Sequence, residues 1–290
     1  MQWLAESADG LPYHVPMNAH DLTAWRDAAV EAAQRGAAEL EAWRGKFTIR
    51  EKARADLVTD ADTASQKAVK AYLLGRFPDH QFLGEEDCFG KSLEVLQQSL
   101  GSAPTWIVDP LDGTANYAHG LPCYAVNVAL MVDGEIVVGV TFDPRLNEMF
   151  VAAKGGGTFL NGVPVRVSDV TGIRDGLIAT GFPSNFDAQL RNLEAWKRVS
   201  YHAQGLRRTG STAINMAYVA AGRFDGYWCY DNWPWDVAPG AILIHEAGGR
   251  VTSSDGTPFN PFRMDIIATN GHTHGELLLA LQDDVGDVKG

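Results

Sequence analysis

Between residues 21 and 44 the apolar side chains Leu22, Trp25, Ala29, Ala32, Ala33, Leu40 and Trp43 recur at roughly helical spacing, and Gly45 follows as a stop. The pattern predicts one long amphipathic helix. A second helix is expected over 62–76, with Asp62 or Thr63 capping its start and Pro78 beyond its end. Between the two lies RADLVTDAD, residues 54–62. Two short apolar runs come next, QFLG at 81–84 and TWIV at 105–108, predicted as strands that run into Glu85-Glu86-Asp87 and into Asp109. Both end in carboxylates. Runs over 124–131 and 136–141 then flank Asp133-Gly134, and runs over 148–153 and 163–167 flank Gly-rich or Asn161-Gly162 turns. Such dipeptides tolerate the positive φ of tight hairpin turns, so this half reads as α+β with a meandering antiparallel sheet.

From about Val170 the pattern alternates. A strand at 177–180, a helix at 190–202 and a strand at 205–208 are followed by helices at 211–221 and 237–246, strands at 250–252 and 265–269, and a helix at 275–281. That is an α/β layer arrangement. The chain thus divides into an N-terminal extension (1–20), an α+β subdomain (21–168) and an α/β subdomain (169–290). No fixed-period repeat and no polar linker separates the two subdomains, so they are expected to share an interface near 165–175. A cleft there is the default place for a site.

Composition narrows the function classes more than the fold. With 46% hydrophobic and 21% charged residues, 290 residues suffice for a substantial core. A formal net charge of -12 argues against a nucleic-acid polymer as partner, since such proteins present basic stripes to the phosphates. The three cysteines, Cys88, Cys123 and Cys229, are widely separated and fit a reducing compartment. The first twenty residues lack the basic and apolar regions of a secretion signal, and no run is long enough to span a bilayer. The expectation is a cytoplasmic protein that does not engage membranes.

Four stretches place acidic residues at element ends: Asp56, Asp60 and Asp62; Glu85, Glu86 and Asp87; Asp109 and Asp112; and Asp236, which follows Trp235 at a helix start. Singly, Asp62 or Asp236 reads equally well as a helix cap. DPLDGT, residues 109–114, says more. Pro110 stiffens the strand exit and Gly113 permits a tight turn with outward-pointing amides, so two carboxylates and the Thr114 hydroxyl face one small space. Unpaired carboxylates that close repel, and a divalent cation is the economical way to keep them ionised. Oxygen-only ligation favours Mg²⁺ or Mn²⁺ over zinc, while Ca²⁺ fits the same residues. A hard cation beside exposed amides suits phosphate, which makes phosphoester hydrolysis the leading expectation.

GEED from Gly84, WIVDPLDGT from Trp106, GSTAINMAYVAAGRFD from Gly210 and WDVAPGAILIHEAGG from Trp235 occur in an order and spacing that resemble the inositol monophosphatase family. Its members are Mg²⁺-dependent, lithium-sensitive phosphomonoesterases, and the match runs from about Leu22 to the carboxyl terminus. The resemblance implies a layered αβαβα sandwich of the inositol monophosphatase and fructose-1,6-bisphosphatase type, and a homodimer. It implies a first metal on Glu85, Asp109 and the Leu111 carbonyl, a second on Asp109, Asp112 and Asp236, and a third, weaker ion near Glu85. Thr114, paired with Asp62, would orient or deprotonate the attacking water, and the amides of Gly113 and Thr114 would hold the phosphate. Hydrolysis would be direct, without a phosphoenzyme.

The substrate side departs from the family pattern. Counting back from Asp236 places Cys229 where the inositol phosphatases carry an acidic residue that contacts sugar hydroxyls, with Asp231 as the nearby substitute. Gly210, Ser211 and Thr212 match the substrate-binding turn. The aromatic residues Trp228, Tyr230, Trp233 and Trp235 read either as a flatter, more apolar pocket or as core and dimer packing. Lys46 and Lys52 precede DLVT, where the family often carries a mobile-loop lysine, without a register that assigns either. Inositol 1-phosphate is the default substrate; histidinol phosphate is the alternative, followed by adenosine 3',5'-bisphosphate and fructose 1,6-bisphosphate. An anion-sensing regulatory protein is the reading from a different class.

Overall fold

Alternation of apolar runs with turn dipeptides produces a chain in which helices and sheets stack as alternating layers. The computed structural model describes residues 19–53, 56–182 and 186–282. Most of the 1–20 extension and the side chains of Lys52 and Asp56 lie outside the described part. Helix α1 (Ala19–Trp43), strands β1 (Ile49–Ala53) and β2 (Asp56–Thr59), and helix α2 (Asp60–Arg76) come first. β3 (Gln81–Gly84) leads through α3 (Glu85–Cys88) and α4 (Leu93–Ser99) to β4 (Thr105–Asp112) and the single-turn α5 (Thr114–Ala118). A meander follows in β5 (Ala125–Val132), β6 (Glu135–Asp143), β7 (Glu148–Ala153), β8 (Thr158–Leu160) and β9 (Val163–Val165). The remainder is β10 (Leu177–Thr180), α6 (Phe186–Ser200), β11 (Gly205–Arg207), α7 (Thr212–Ala220), β12 (Gly226–Tyr230), α8 (Pro234–Glu246), β13 (Arg250–Thr252), β14 (Asp265–Thr269) and α9 (His274–Leu281).

Strands β3 to β9 form one sheet in sequential order, parallel only between β3 and β4. The second sheet has the order β11-β10-β12-β14-β13, with β10 parallel to both of its neighbours. α1 and α2 cover one face of the first sheet, α7 and α8 lie between the two sheets, and α6 and α9 cover the far face of the second. The result is the expected αβαβα sandwich. Asp133 and Asn161 sit at φ 51 and 50, each followed by a glycine at positive φ, as the hairpin dipeptides require.

The helix layer between the sheets needs close approaches. A Cβ on Gly139 of β6 would lie 2.4 Å from Ile242 and 2.6 Å from the Pro239 carbonyl of α8, so only glycine lets helix and sheet meet there. Large side chains fill the rest: Trp106 of β4 is buried under α1 and α2, and Tyr227 of β12 under α7 and α8. Each such burial contributes roughly 1.5–3 kcal/mol. Among the described residues no helix is long and apolar enough to cross a membrane.

Several sequence expectations shift. α2 begins at Asp60 and is capped by Thr59, not by Asp62 or Thr63; Asp62 is the return partner of a capping box, accepting from the Thr59 amide at 2.8 Å. β4 does not stop at Asp109 but continues to Asp112 through a bulge, which is where a strand tolerates a proline such as Pro110. The β1–β2 hairpin and β12 are additional. GYWCY has no polar alternation because both faces of β12 are covered, so Trp228 and Tyr230 belong to the core.

His274 stands at the start of α9, buried, with Nε2 3.0 Å from the Thr252 hydroxyl of β13 and Nδ1 3.0 Å from that of Thr269 on β14. Burial, aided by the Arg250 charge, pushes its pKa from 6.5 down to about 4. The unfolded chain therefore binds more protons between those values, and this stabilisation, complete above pH 6.5, is lost as pH falls through about 4. Asp143, raised by burial to about 6, tilts stability the other way over an overlapping range, so a difference is the useful readout. Urea midpoints measured from pH 7.5 to 4.5 should show the stability gap between wild type and His274→Gln narrowing as the pH falls.

Candidate active site

The β4 bulge is what brings charge together. Asp109 pairs with Asn127 but Asp112 with Ala125, so one extra residue on β4 turns both carboxylates out of the normal alternation. One carboxylate oxygen from each of Asp109, Asp112 and Asp236 lies within 4.8 Å of the others. Every one of them is fixed by backbone amides. Leu111 donates to Asp109 Oδ1 at 2.9 Å, Trp233 donates to Asp236 Oδ2 at 2.7 Å, and Thr212 and Ala213 donate to Asp112 at 3.2 and 3.0 Å. Burial raises the pKa of Asp109 far above the usual carboxylate range, with the charges of Glu85, Asp112 and Asp236 adding to it. Burial likewise raises Asp236, helped by Asp112, Glu85 and Asp231. Asp112 reaches about 6 by burial, held there rather than higher by the Ser211 hydroxyl and the two amides.

Ser211, Thr212 and Gly210, expected at the substrate, are organised around Asp112. The Ser211 hydroxyl donates to Asp112 and accepts from the Ile214 amide at 3.1 Å, capping α7. The Thr212 hydroxyl lies 2.9 Å from the Tyr227 hydroxyl. Gly210, at φ 87, packs against Asn116, whose Nδ2 donates to the Cys123 and Thr209 carbonyls at 2.7 and 2.9 Å.

The Thr114 hydroxyl sits 3.2 Å from Asp62 Oδ1 and 3.0 Å from the Leu111 carbonyl, so β2, α2 and the end of β4 meet as the sequence pairing requires. Asp62 also accepts from the Thr59 hydroxyl at 2.5 Å. Burial pushes Asp62 up to about 7 against those Thr59 bonds, with Glu85 and Glu86 raising it further. A carboxylate in that range can take up a proton near neutral pH.

Next to the carboxylates opens a cleft of about 530 Å³, lined by Glu85, Asp236, Phe89, Asp231, Trp233 and Trp235 among others. Asp231 reaches it from a left-handed backbone at φ 64. Cys229 sits inside β12, where its thiol donates to the Tyr230 carbonyl at 3.2 Å and burial pushes its pKa up to about 12.

Residues 21–287 match the inositol monophosphatase family. Inositol monophosphatase 2 of Solanum lycopersicum is 37% identical over 262 residues, covering 89% of this chain and 97% of that protein. The fructose-1,6-bisphosphatase/inositol-1-monophosphatase of Thermotoga maritima is 34% identical over 235 residues, covering 81% of this chain and 86% of that protein. The crystal structure of the extragenic suppressor protein suhB from Bartonella henselae superposes with a TM-score of 0.82 at 35% identity, covering 90% of this chain and 100% of that one. The chain belongs to the inositol monophosphatase family. Its members are phosphomonoester hydrolases, and the layered sandwich is their fold.

Several residues that build this family site were not singled out from sequence. Ser65 donates to the Pro110 carbonyl at 2.9 Å and fixes the bulge, while Gln66 accepts from the Glu86 amide at 2.9 Å. One turn of α2 thus holds the ends of both carboxylate-bearing strands. Asn127 is buried on β5, accepts from Thr141 at 2.7 Å and donates to the Trp235 carbonyl at 3.3 Å, tying α8 to the first sheet. The one available signal was a lone amide in the apolar run AVNVAL.

Gly113 adopts φ 92, and a Cβ there would lie 2.9 Å from the Cys123 carbonyl. Gly113→Ala should destabilise by about 1–2 kcal/mol or more, since both the left-handed backbone and the contact oppose a side chain. Urea titration would measure that loss, and phosphate release should fall with it because Thr114 moves with the turn.

Proposed function

We propose that this chain is a Mg²⁺-dependent phosphatase of small phosphomonoesters, working by direct attack of water without a phosphoenzyme. The convergence of Asp109, Asp112 and Asp236 within 4.8 Å, all raised in pKa, carries the reading. These donors fit a hard cation: all are oxygens, and their mutual repulsion is a deficit of positive charge in a buried place. Asp109, Asp112, Asp236 and the Leu111 carbonyl, with Glu85 beside them, would hold two or three ions. Bound Mg²⁺ supplies an acidified water and charge stabilisation of the leaving oxygen.

The chain's own groups do the positioning. Thr114, bonded to Asp62, orients the water in line with phosphorus and passes its proton toward the carboxylate, whose pKa of about 7 suits the role. The amides of Gly113 and Thr114 face the phosphate. The P–O bond to the alcohol breaks as the new bond to the water oxygen forms, the leaving oxygen takes a proton from solvent water, and Asp62 returns the proton it received to solvent. Inositol 1-phosphate is the reference substrate, supported by the names of the relatives from Solanum lycopersicum and Thermotoga maritima.

Asp109→Asn keeps the oxygen that accepts from Leu111 and removes one of the crowded charges. Without metal this variant should melt above the wild type at pH 7.5, because repulsion is relieved. Added Mg²⁺ should raise the wild-type melting temperature and leave the variant unmoved, and phosphate release should drop by about a thousand-fold or more. Near-normal turnover by the variant would exclude the site.

A further inference from the structure

The cleft beside the carboxylates is continuous with them, since Glu85 and Asp236 line it, so it is where the alcohol portion of a substrate lies once phosphate is at the carboxylate cluster. Its remaining walls are divided: Asp231, Lys91 and Ser92 are polar, whereas Phe89, Trp233 and Trp235 make a continuous aromatic wall. Trp233 and Trp235 stack with ring centroids 5.3 Å apart and planes 2° from parallel. Trp235 is buried, whereas Trp233 keeps part of its surface toward the cleft. Phe89, 62% exposed, is a further wall on the turn after α3. Cys229 turns its thiol to the Tyr230 carbonyl inside β12 and does not line the cleft. A buried polyol needs a partner for each hydroxyl, and leaving one unmatched costs about 1–3 kcal/mol. The faces of the indole and phenyl rings offer no such partners, so hydroxyls turned to that wall go unmatched and only those turned to Asp231, Lys91 or Ser92 are satisfied.

We infer that the cleft selects phosphomonoesters of alcohols that carry a planar aromatic ring, the ring packing on the Trp233–Trp235 stack, in preference to phosphorylated polyols. This rests on the phosphatase reading and names its substrate class. The rigid indole pair is preorganised, because each ring holds the other in plane, so little ordering is required when a third ring arrives. Trp233 is a specificity-determining residue here, since Trp235 is already enclosed.

The test uses the full-length protein with Mg²⁺ and four substrates: benzyl phosphate, cyclohexylmethyl phosphate, inositol 1-phosphate and 4-nitrophenyl phosphate. The first two have the same carbon skeleton and differ in planarity. The expectation is a kcat/KM for benzyl phosphate about ten-fold above those of cyclohexylmethyl phosphate and inositol 1-phosphate, a margin typical of one aromatic pair. Trp233→Ala should remove that preference, lowering kcat/KM for benzyl phosphate several-fold more than for inositol 1-phosphate, and Trp233→Phe should restore most of it. A preference for inositol 1-phosphate, or an equal loss on all substrates in Trp233→Ala, would overturn the inference and leave the phosphatase reading intact. Absence of phosphate release from all four would instead overturn the phosphatase reading. Calorimetry with benzylphosphonate then decides the cleft separately: binding that Trp233→Ala weakens several-fold supports it, and no binding rejects it.

Discussion

Asp109, Asp112 and Asp236 repel one another within 4.8 Å, the first two buried and the third half-buried at the cleft, and the surrounding fold is the set of restraints that keeps them there. Two come from a bulge in β4 and the third from the first turn of α8, so the cluster exists only if the two sheets and the helices between them are assembled. Ser65 holds the bulge from the α1–α2 layer. Asn127 holds α8 from the first sheet, and Ser211 fixes Asp112 from the start of α7. Each restraint is a hydrogen bond worth roughly 0.5–1.5 kcal/mol net, and several act on the same few residues. Like charges stay close because their positions are over-determined.

That arrangement explains which parts of the site were legible in the sequence. DPLDGT carries two carboxylates, a proline, a glycine and a hydroxyl within six residues, so its chemistry is local and can be read from spacing. The pairing of Asp62 with Thr114, and the arrival of Asp236, rested on the family resemblance, and the geometry does bring both about. Ser65, Gln66, Asn116 and Asn127 are ordinary polar residues whose meaning lies in a partner on another element. Apart from the lone amide in AVNVAL, no local pattern marks them. The cap of α2 was misplaced for a related reason: Thr59 and Asp62 satisfy each other, and three-residue reciprocity looks in sequence like two competing caps.

The fold was legible where hydrophobic periodicity was regular, in α1, the meander and the alternation after β10. It failed at β12. GYWCY lies between parallel β10 and antiparallel β14 with both faces covered, so its side chains show no alternation of polar and apolar. The aromatic residues around it belong to two environments that composition does not separate. Trp228 and Tyr230 pack between the second sheet and its outer helices, whereas Trp233 and Trp235 lie beyond the strand end, beside the cleft. The left-handed Asp231 is the hinge between them: its φ of 64 ends the strand and redirects the chain toward the start of α8.

The middle helix layer has a further electrostatic consequence. α7 and α8 both begin at the site, and the amides at their N-termini end on Asp112 and Asp236 respectively. A helix N-terminus carries about half a positive charge, so two of them supply about one unit against three carboxylates and the nearby Glu85. The compensation is partial. Asp112, with the most donors, still sits at about 6 rather than 3.8, and Asp109, with one amide, is raised by burial as well. Adding more fixed donors would neutralise the site and leave a cation little to gain. The fold instead supplies enough positive potential to keep the carboxylates in place and withholds the rest, so the net negative charge that remains suits the divalent ion proposed for the site.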